Sequence, residues 1–244
     1  MTFSIVARCA RTGQLGVAVA TAVPAVGAMC PYVRPGVGAV STQSWVNPYL
    51  AFGVLDRIAA GASAPEALAA VMQGDAAQQL RQIGVVDATG RAASWSGTEC
   101  TSWFGHFVGD GFAVQGNMLA GASTIEAMKN AYFTSEGEQL AERLLLALEA
   151  GDAAGGDKRG RQSASLQVFG TEDYALVDLR VDEHAQPVAE LRRVHGIARL
   201  QLFPFVDGMP KKSGPATPAP DEVVAMLALA PPDRPGGGGS APSG

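Results

Sequence analysis

Residues 15–23, Leu-Gly-Val-Ala-Val-Ala-Thr-Ala-Val, are almost wholly apolar and show no alternation of polar with apolar side chains. A strand of that makeup has to be covered on both faces. A chain built around it must therefore lay further structure over both sides of at least one sheet. The segment before it, residues 2–9, is also strand-like, and Arg11-Thr12-Gly13-Gln14 supplies hairpin-turn chemistry between the two. The uncharged run continues to Val33 behind Arg8 and Arg11, and Ala18-Val19-Ala20 imitates a signal-peptidase site. Pro24, Gly27 and Pro31 interrupt it, which suits neither a membrane helix nor the apolar core of an export signal. Two successive buried strands are expected rather than export, with no leader ahead of the first.

The remaining elements follow from periodicity and caps. A strand is expected over residues 36–43. A helix should start at Asn47-Pro48, with Leu50, Val54, Leu55 and Ile58 on one face, and stop at Gly61. Ser63-Ala64-Pro65-Glu66 is a capping box for a second helix carrying Leu68, Val71 and Met72 inward. Strands are expected over 81–88 and 91–96, then a glycine-punctuated stretch, then a short strand over 112–115. Two more helices should be capped at 123–126 and 135–138, the second ending at Gly151. Strands at 163–169 and 174–181 and a helix over 187–199 complete the order. Helices segregated from largely antiparallel strands predict an α+β fold, with two sheets between helical layers. The domain is expected to span residues 1–208. Residues 209–244 are rich in Pro, Gly and Ala and are expected to be disordered apart from a brief helix at 221–229.

Composition narrows the function. The net charge of -5 argues against a nucleic-acid partner held on a broad basic face. Three widely separated cysteines suggest neither a disulfide framework nor a metal site, and a reduced, cytoplasmic setting is the default. No cofactor, metal or membrane is called for. A homo-oligomer is left open.

Thr2 is the candidate nucleophile. Removal of Met1, which a small second residue permits, leaves a free α-amine and a hydroxyl on one residue. A Thr hydroxyl needs an adjacent base, and an α-amine titrating near ~8 can serve. The alternative is an ordinary strand that happens to begin with Thr. The densest polar cluster is Gly155-Gly156-Asp157-Lys158-Arg159-Gly160-Arg161-Gln162-Ser163. There Arg159, Arg161 and Gln162 could meet a substrate carboxylate, or the loop could simply be solvated. Gln115-Gly116-Asn117 closes a strand where an amide could donate to an oxyanion, although Gly-Asn is also ordinary turn chemistry. Arg34 is either a fixed charge near the start of the chain or a surface side chain. His106, in a glycine-rich loop, is either a substrate-binding or a packed histidine. No Gly-x-Ser-x-Gly elbow is present.

Together, Thr2-Phe3-Ser4-Ile5-Val6-Ala7-Arg8, Gly36-Val37-Gly38-Ala39-Val40, Gln82-Ile83-Gly84-Val85-Val86-Asp87, Val114-Gln115-Gly116-Asn117 and residues 155–163 resemble a bacterial family, domain of unknown function 1028, over residues 2–206. That family is grouped with the N-terminal-nucleophile (Ntn) hydrolases. The resemblance implies a four-layer αββα sandwich and an amidohydrolase acting on a small-molecule amide. It implies catalytic roles for Thr2, Arg34 and Asp157, with Asp157 orienting the amine, and Asn117 joins them from its place at a strand end. Oxyanion amides would come from Ser41-Thr42-Gln43-Ser44; from the residue clusters themselves, Gln43, His106, Gln115, Arg159, Arg161 and Gln162 are expected to line the substrate site. The sequence departs from the family pattern near Cys9, where an acid is expected, and near Ala22, where a base is expected. The other function class is a binding or assembly protein that kept the fold without the chemistry.

Overall fold

The computed structural model describes residues 2–215 and 217–242. Ten strands form two antiparallel sheets among these residues: β1 (Thr2–Arg8), β2 (Leu15–Thr21), β3 (Pro31–Arg34), β4 (Gly38–Ser44), β5 (Arg81–Asp87), β6 (Ala92–Ser96), β7 (Gly105–Gly109), β8 (Phe112–Asn117), β9 (Ser163–Phe169) and β10 (Ala175–Val181). The six-stranded sheet runs β10-β9-β2-β1-β8-β7 and the four-stranded sheet β3-β4-β5-β6. The helices are α1 (Pro48–Ala59), α2 (Ala64–Gln73), α3 (Ser123–Thr134), α4 (Leu140–Ala153), α5 (Pro187–Gln201), α6 (Phe203–Asp207) and α7 (Asp221–Ala228).

Strand alternation assigns every layer. In β1, Phe3, Ile5 and Ala7 face a core built with Met128, Leu144 and Leu148 of α3 and α4 and Leu191 of α5. The intervening Val6 meets Val17, Ala39, Val86 and Ala113 between the sheets. In the other sheet, Val40, Ile83 and Val85 turn outward onto Leu50, Val54, Leu68 and Met72 of α1 and α2. The stacking is thus helices, six strands, four strands, helices, the αββα arrangement expected from the element order.

Local signals hold at several ends. Asn47 accepts from the Tyr49 N–H at the start of α1, and Ser63 with Glu66 forms the capping box of α2. Other ends differ. Ser135 does not cap α4; its hydroxyl bonds back to the carbonyls of Ala131 and Tyr132 at the end of α3. Two strands escaped the reading. β3 is only four residues long. β7 is bounded by Gly105 and Gly109 and is only half covered, so its pattern resembles loop. Among the described residues of the tail, α7 forms where a helix was expected, and Gln201 of α5 donates to the carbonyls of Pro235 and Gly237.

Asp87 ties the apolar end of the small sheet together. Its buried carboxylate accepts from the Ala64 N–H at the start of α2, from the Thr89 N–H and hydroxyl, and from the Arg91 N–H and guanidinium. Burial alone would raise its pKa, but these donors bring it net below the ordinary carboxylate value. A depressed folded-state pKa adds stability above the unfolded carboxyl range, near ~4, and that stability is lost as pH falls through the folded value. Asp87→Asn should therefore destabilise the protein at pH 7 by about 1–3 kcal/mol. It should also flatten the loss of stability below pH ~4, read from urea denaturation across a pH series.

Candidate functional site

The layer between the sheets is graded along the strands. At the β1–β2 turn end it is filled by Leu15, Val17, Val6 and Val86. At the other end the same face carries Thr2, Ser4, Thr21, Ser41, Gln43, Gln82, Gln115 and Asn117, all buried. Polar side chains in a dry layer persist only where they are hydrogen-bonded.

Register explains how they meet. Thr2 lies opposite Thr21 of β2 and Asn117 of β8, and Ser4 lies opposite Gln115. In the facing sheet Gln43 lies opposite Gln82. The Ser4 hydroxyl donates to Gln43 Oε1 at 2.7 Å and accepts from Gln115 Nε2 at 2.6 Å. Gln43 Nε2 donates to the Thr2 carbonyl at 3.2 Å and to Gln82 Oε1 at 2.8 Å. Asn117 Nδ2 also donates to Gln82 Oε1, at 2.9 Å. Gln82 Nε2 completes the hub, donating to the Gly116 carbonyl at 2.9 Å and to Ser96 Oγ at 2.8 Å. Ser96 Oγ in turn lies 2.9 Å from His106 Nδ1. A Cβ on Gly84 would fall 2.0 Å from Gln115 Oε1, so only glycine lets that amide lie against β5.

Thr2 sits at the rim of this network, 5% exposed, its hydroxyl donating to Thr21 Oγ1 at 3.3 Å. Asp157 approaches from the side: its Oδ2 accepts from the Ala22 N–H at 3.0 Å, one residue past Thr21. Its Oδ1 takes the Arg159 N–H at 2.8 Å, and the Arg159 guanidinium lies 3.3 Å from Oδ2. Gln162 donates its N–H to the Thr21 carbonyl, and Arg161 pairs with Asp152 at 2.6 Å. The crevice among Thr21, Asp157, Gly160 and Arg161 has no room for a water-sized molecule. Two strand ends at this edge turn through left-handed residues, Ser44 (φ 68°) and Met118 (φ 51°), a backbone state that non-glycine residues seldom adopt.

The fold therefore gathers Thr2, Gln43, Gln115 and Asn117 at one point, sets Asp157 and Gln162 beside it, and brings His106 in through Ser96. Arg34 is not brought there. It pairs with Gly38 at the opposite end of β4 from Gln43 and forms an exposed ion pair with Asp56 at 2.9 Å. A four-residue edge strand carries it away from the polar end. Removal of Met1 concerns a residue outside those described. Sequence reasoning missed Ser4, Gly84 and above all Gln82. Their signal was a polar or glycine residue at alternate positions of strands whose other residues are β-branched and apolar.

This geometry defines an αββα sandwich with a polar site at one end of its inter-sheet layer. The chain belongs to the family of unknown function DUF1028, whose model matches residues 2–191. The crystal structure of the DUF1028 protein SPO2555 from Silicibacter pomeroyi is similar with a TM-score of 0.80 at 28% identity, over 86% of this chain and 91% of that one. Anbu (ancestral beta-subunit) from Yersinia bercovieri aligns with a TM-score of 0.40 at 12% identity, over 87% and 100% of the two chains. An Anbu (Gly-1) mutant from Hyphomicrobium sp. strain MC1 gives 0.40 at 10% identity, over 88% and 100%. No functionally curated protein matches the chain. Among the described residues no helix is long and apolar enough to cross a membrane.

Replacing Gln82 by Leu removes the shared acceptor of Gln43 and Asn117 and leaves buried amide groups unpaired, each costing about 1–3 kcal/mol. Gln82→Leu should lose about 3 kcal/mol or more, whereas Gln167→Leu, on the same layer but nearer solvent, should change stability by less than ~1 kcal/mol. Urea denaturation of both variants checks this.

Proposed function

We propose that the protein is an N-terminal-threonine amidohydrolase. In this reading Thr2 Oγ1 attacks the carbonyl carbon of a small amide, and the α-amine of Thr2 takes the hydroxyl proton. The same amine returns it to the departing nitrogen, and water then hydrolyses the acyl-enzyme. Asn117 has two amide hydrogens and spends one on Gln82, so the second can face a developing oxyanion. Asp157 holds the backbone beside Thr21, and Arg159 and Arg161 lie on the approach from the 155–163 turn, where a substrate carboxylate would be met. The Ntn grouping that the family resemblance implies agrees with this assignment.

The observation that carries the reading is the position of Thr2. It heads a central strand, at the one end of the inter-sheet layer where polar groups replace an apolar core. A structural role alone would not require four buried amides and a serine to converge beside the second residue of the chain.

A second reading, a ligand-binding or assembly protein that retains the sandwich without catalysis, is favoured by the closed crevice beside Asp157 and by the displacement of Arg34. Two measurements separate them. N-terminal sequencing of native protein is expected to begin at Thr2, since a retained Met1 blocks the amine. In a screen of small linear and cyclic amides, the processed protein is expected to turn over a carboxylate-bearing member. Thr2→Ala should lose on the order of 10³-fold or more in turnover, as removal of a nucleophile does, with an unchanged melting temperature. A chain that starts at Met1, or full activity of Thr2→Ala, would refute the hydrolase.

A further inference from the structure

At the opposite end of β1 from Thr2, a cavity of about 330 Å³ opens between the β1–β2 turn, the start of α4 and the short helix α6. It lies within the roughly 300–1,000 Å³ range of small-molecule sites. Its apolar wall is made by Leu140, Val168, Val177 and Phe203, side chains that belong to or pack on the main core.

Two charges of opposite sign lie on its lining: Arg11, from the turn, and Asp207, at the end of α6. Arg11 Nη2 donates to the carbonyls of Gly137 and Glu138, at 3.1 and 2.6 Å. These bonds anchor the guanidinium without neutralising it. Neither Arg11 nor Asp207 joins an ion pair with any described residue, although ion pairs are common elsewhere on this surface. An apolar wall flanked by one fixed cation and one anion is complementary to a molecule carrying both charges and a hydrocarbon body.

We propose that this cavity binds a small amphipathic zwitterion, an apolar α-amino acid, with its carboxylate toward Arg11 and its ammonium toward Asp207. This site is separate from the one at Thr2, and the inference stands whether or not the protein is a hydrolase.

Cys9, almost wholly buried, also belongs to the lining. Burial raises its pKa, but donors from Thr12 and Arg11 bring it net below the ordinary thiol value. Burial pushes Cys30 up to about 12 and also raises Cys100.

The test is calorimetric titration of the full chain with alanine, valine, leucine and phenylalanine. At least one is expected to bind at a single saturable site. For the best of the four, the analogue lacking the amine and the analogue lacking the carboxylate should each bind at least about tenfold more weakly, a typical loss when a paired charge is removed. Asp207→Asn and Arg11→Gln should each weaken binding similarly while keeping a cooperative thermal transition. Because Arg11 also anchors the 137–138 turn, Asp207→Asn is the decisive variant if Arg11→Gln fails to fold. No binding by any of the four would overturn the proposal. So would binding of either singly charged analogue as tight as that of the parent amino acid, or binding unaffected by Asp207→Asn.

Discussion

A primary amide buried between two sheets has to find hydrogen-bond partners within a few ångströms, because water is not there to supply them. Gln82 meets that demand by accepting from Gln43 and Asn117 and donating to Ser96 and the Gly116 carbonyl, and so it joins β4, β5, β6 and β8 across the layer. The polar end of the sandwich depends on this hub. Its geometry is dictated by register: Gln43 faces Gln82 within the small sheet and Ser4 faces Gln115 within the large one. A one-residue slip of β4 against β5 would turn one of these amides out of the layer toward α1 and α2. Apolar packing at the other end, by Val6, Val17, Ala39 and Val86, opposes such a slip. The two ends of the layer therefore have different tasks. The apolar end fixes the alignment, and the polar end uses it to hold a set of donors and acceptors beside Thr2.

Much of the fold was legible because its signals are local or periodic. The doubly covered β2, the Asn47 cap, the Ser63–Glu66 box and the helix of the tail are all fixed by a few neighbouring residues. The missed strands lacked such signals. β7 is half exposed and glycine-bounded, and β3 has four residues. Ser135 has capping chemistry but closes α3 instead of opening α4, since a hydroxyl can satisfy carbonyls as well as amides.

The candidate site was legible in a different way. Thr2, Asn117 and Asp157 could be singled out by residue type and position, and the fold brings them to one edge. Arg34 could not be placed correctly, because proximity in chain order says nothing about which end of a strand a residue occupies. Gln82 was invisible as a hub for a related reason. Its importance lies in partners 14 to 39 residues away, and only the pairing of the two sheets across the layer reveals it. The motif 82–87 thus combines three tasks: an amide hub at Gln82, a close approach at Gly84, and a turn anchor at Asp87.

The claim on which the functional account turns is that Thr2 is a reactive residue rather than a buried strand end. Covalent labelling addresses it directly. A β-lactone probe acylates a nucleophilic hydroxyl, so the processed protein should gain one adduct by intact mass, mapped to the peptide beginning with Thr2. Blocking the terminal amine beforehand should prevent that labelling, because the amine is the base that activates the hydroxyl. Absence of any adduct, or an adduct at another residue with Thr2 unmodified, would contradict the account.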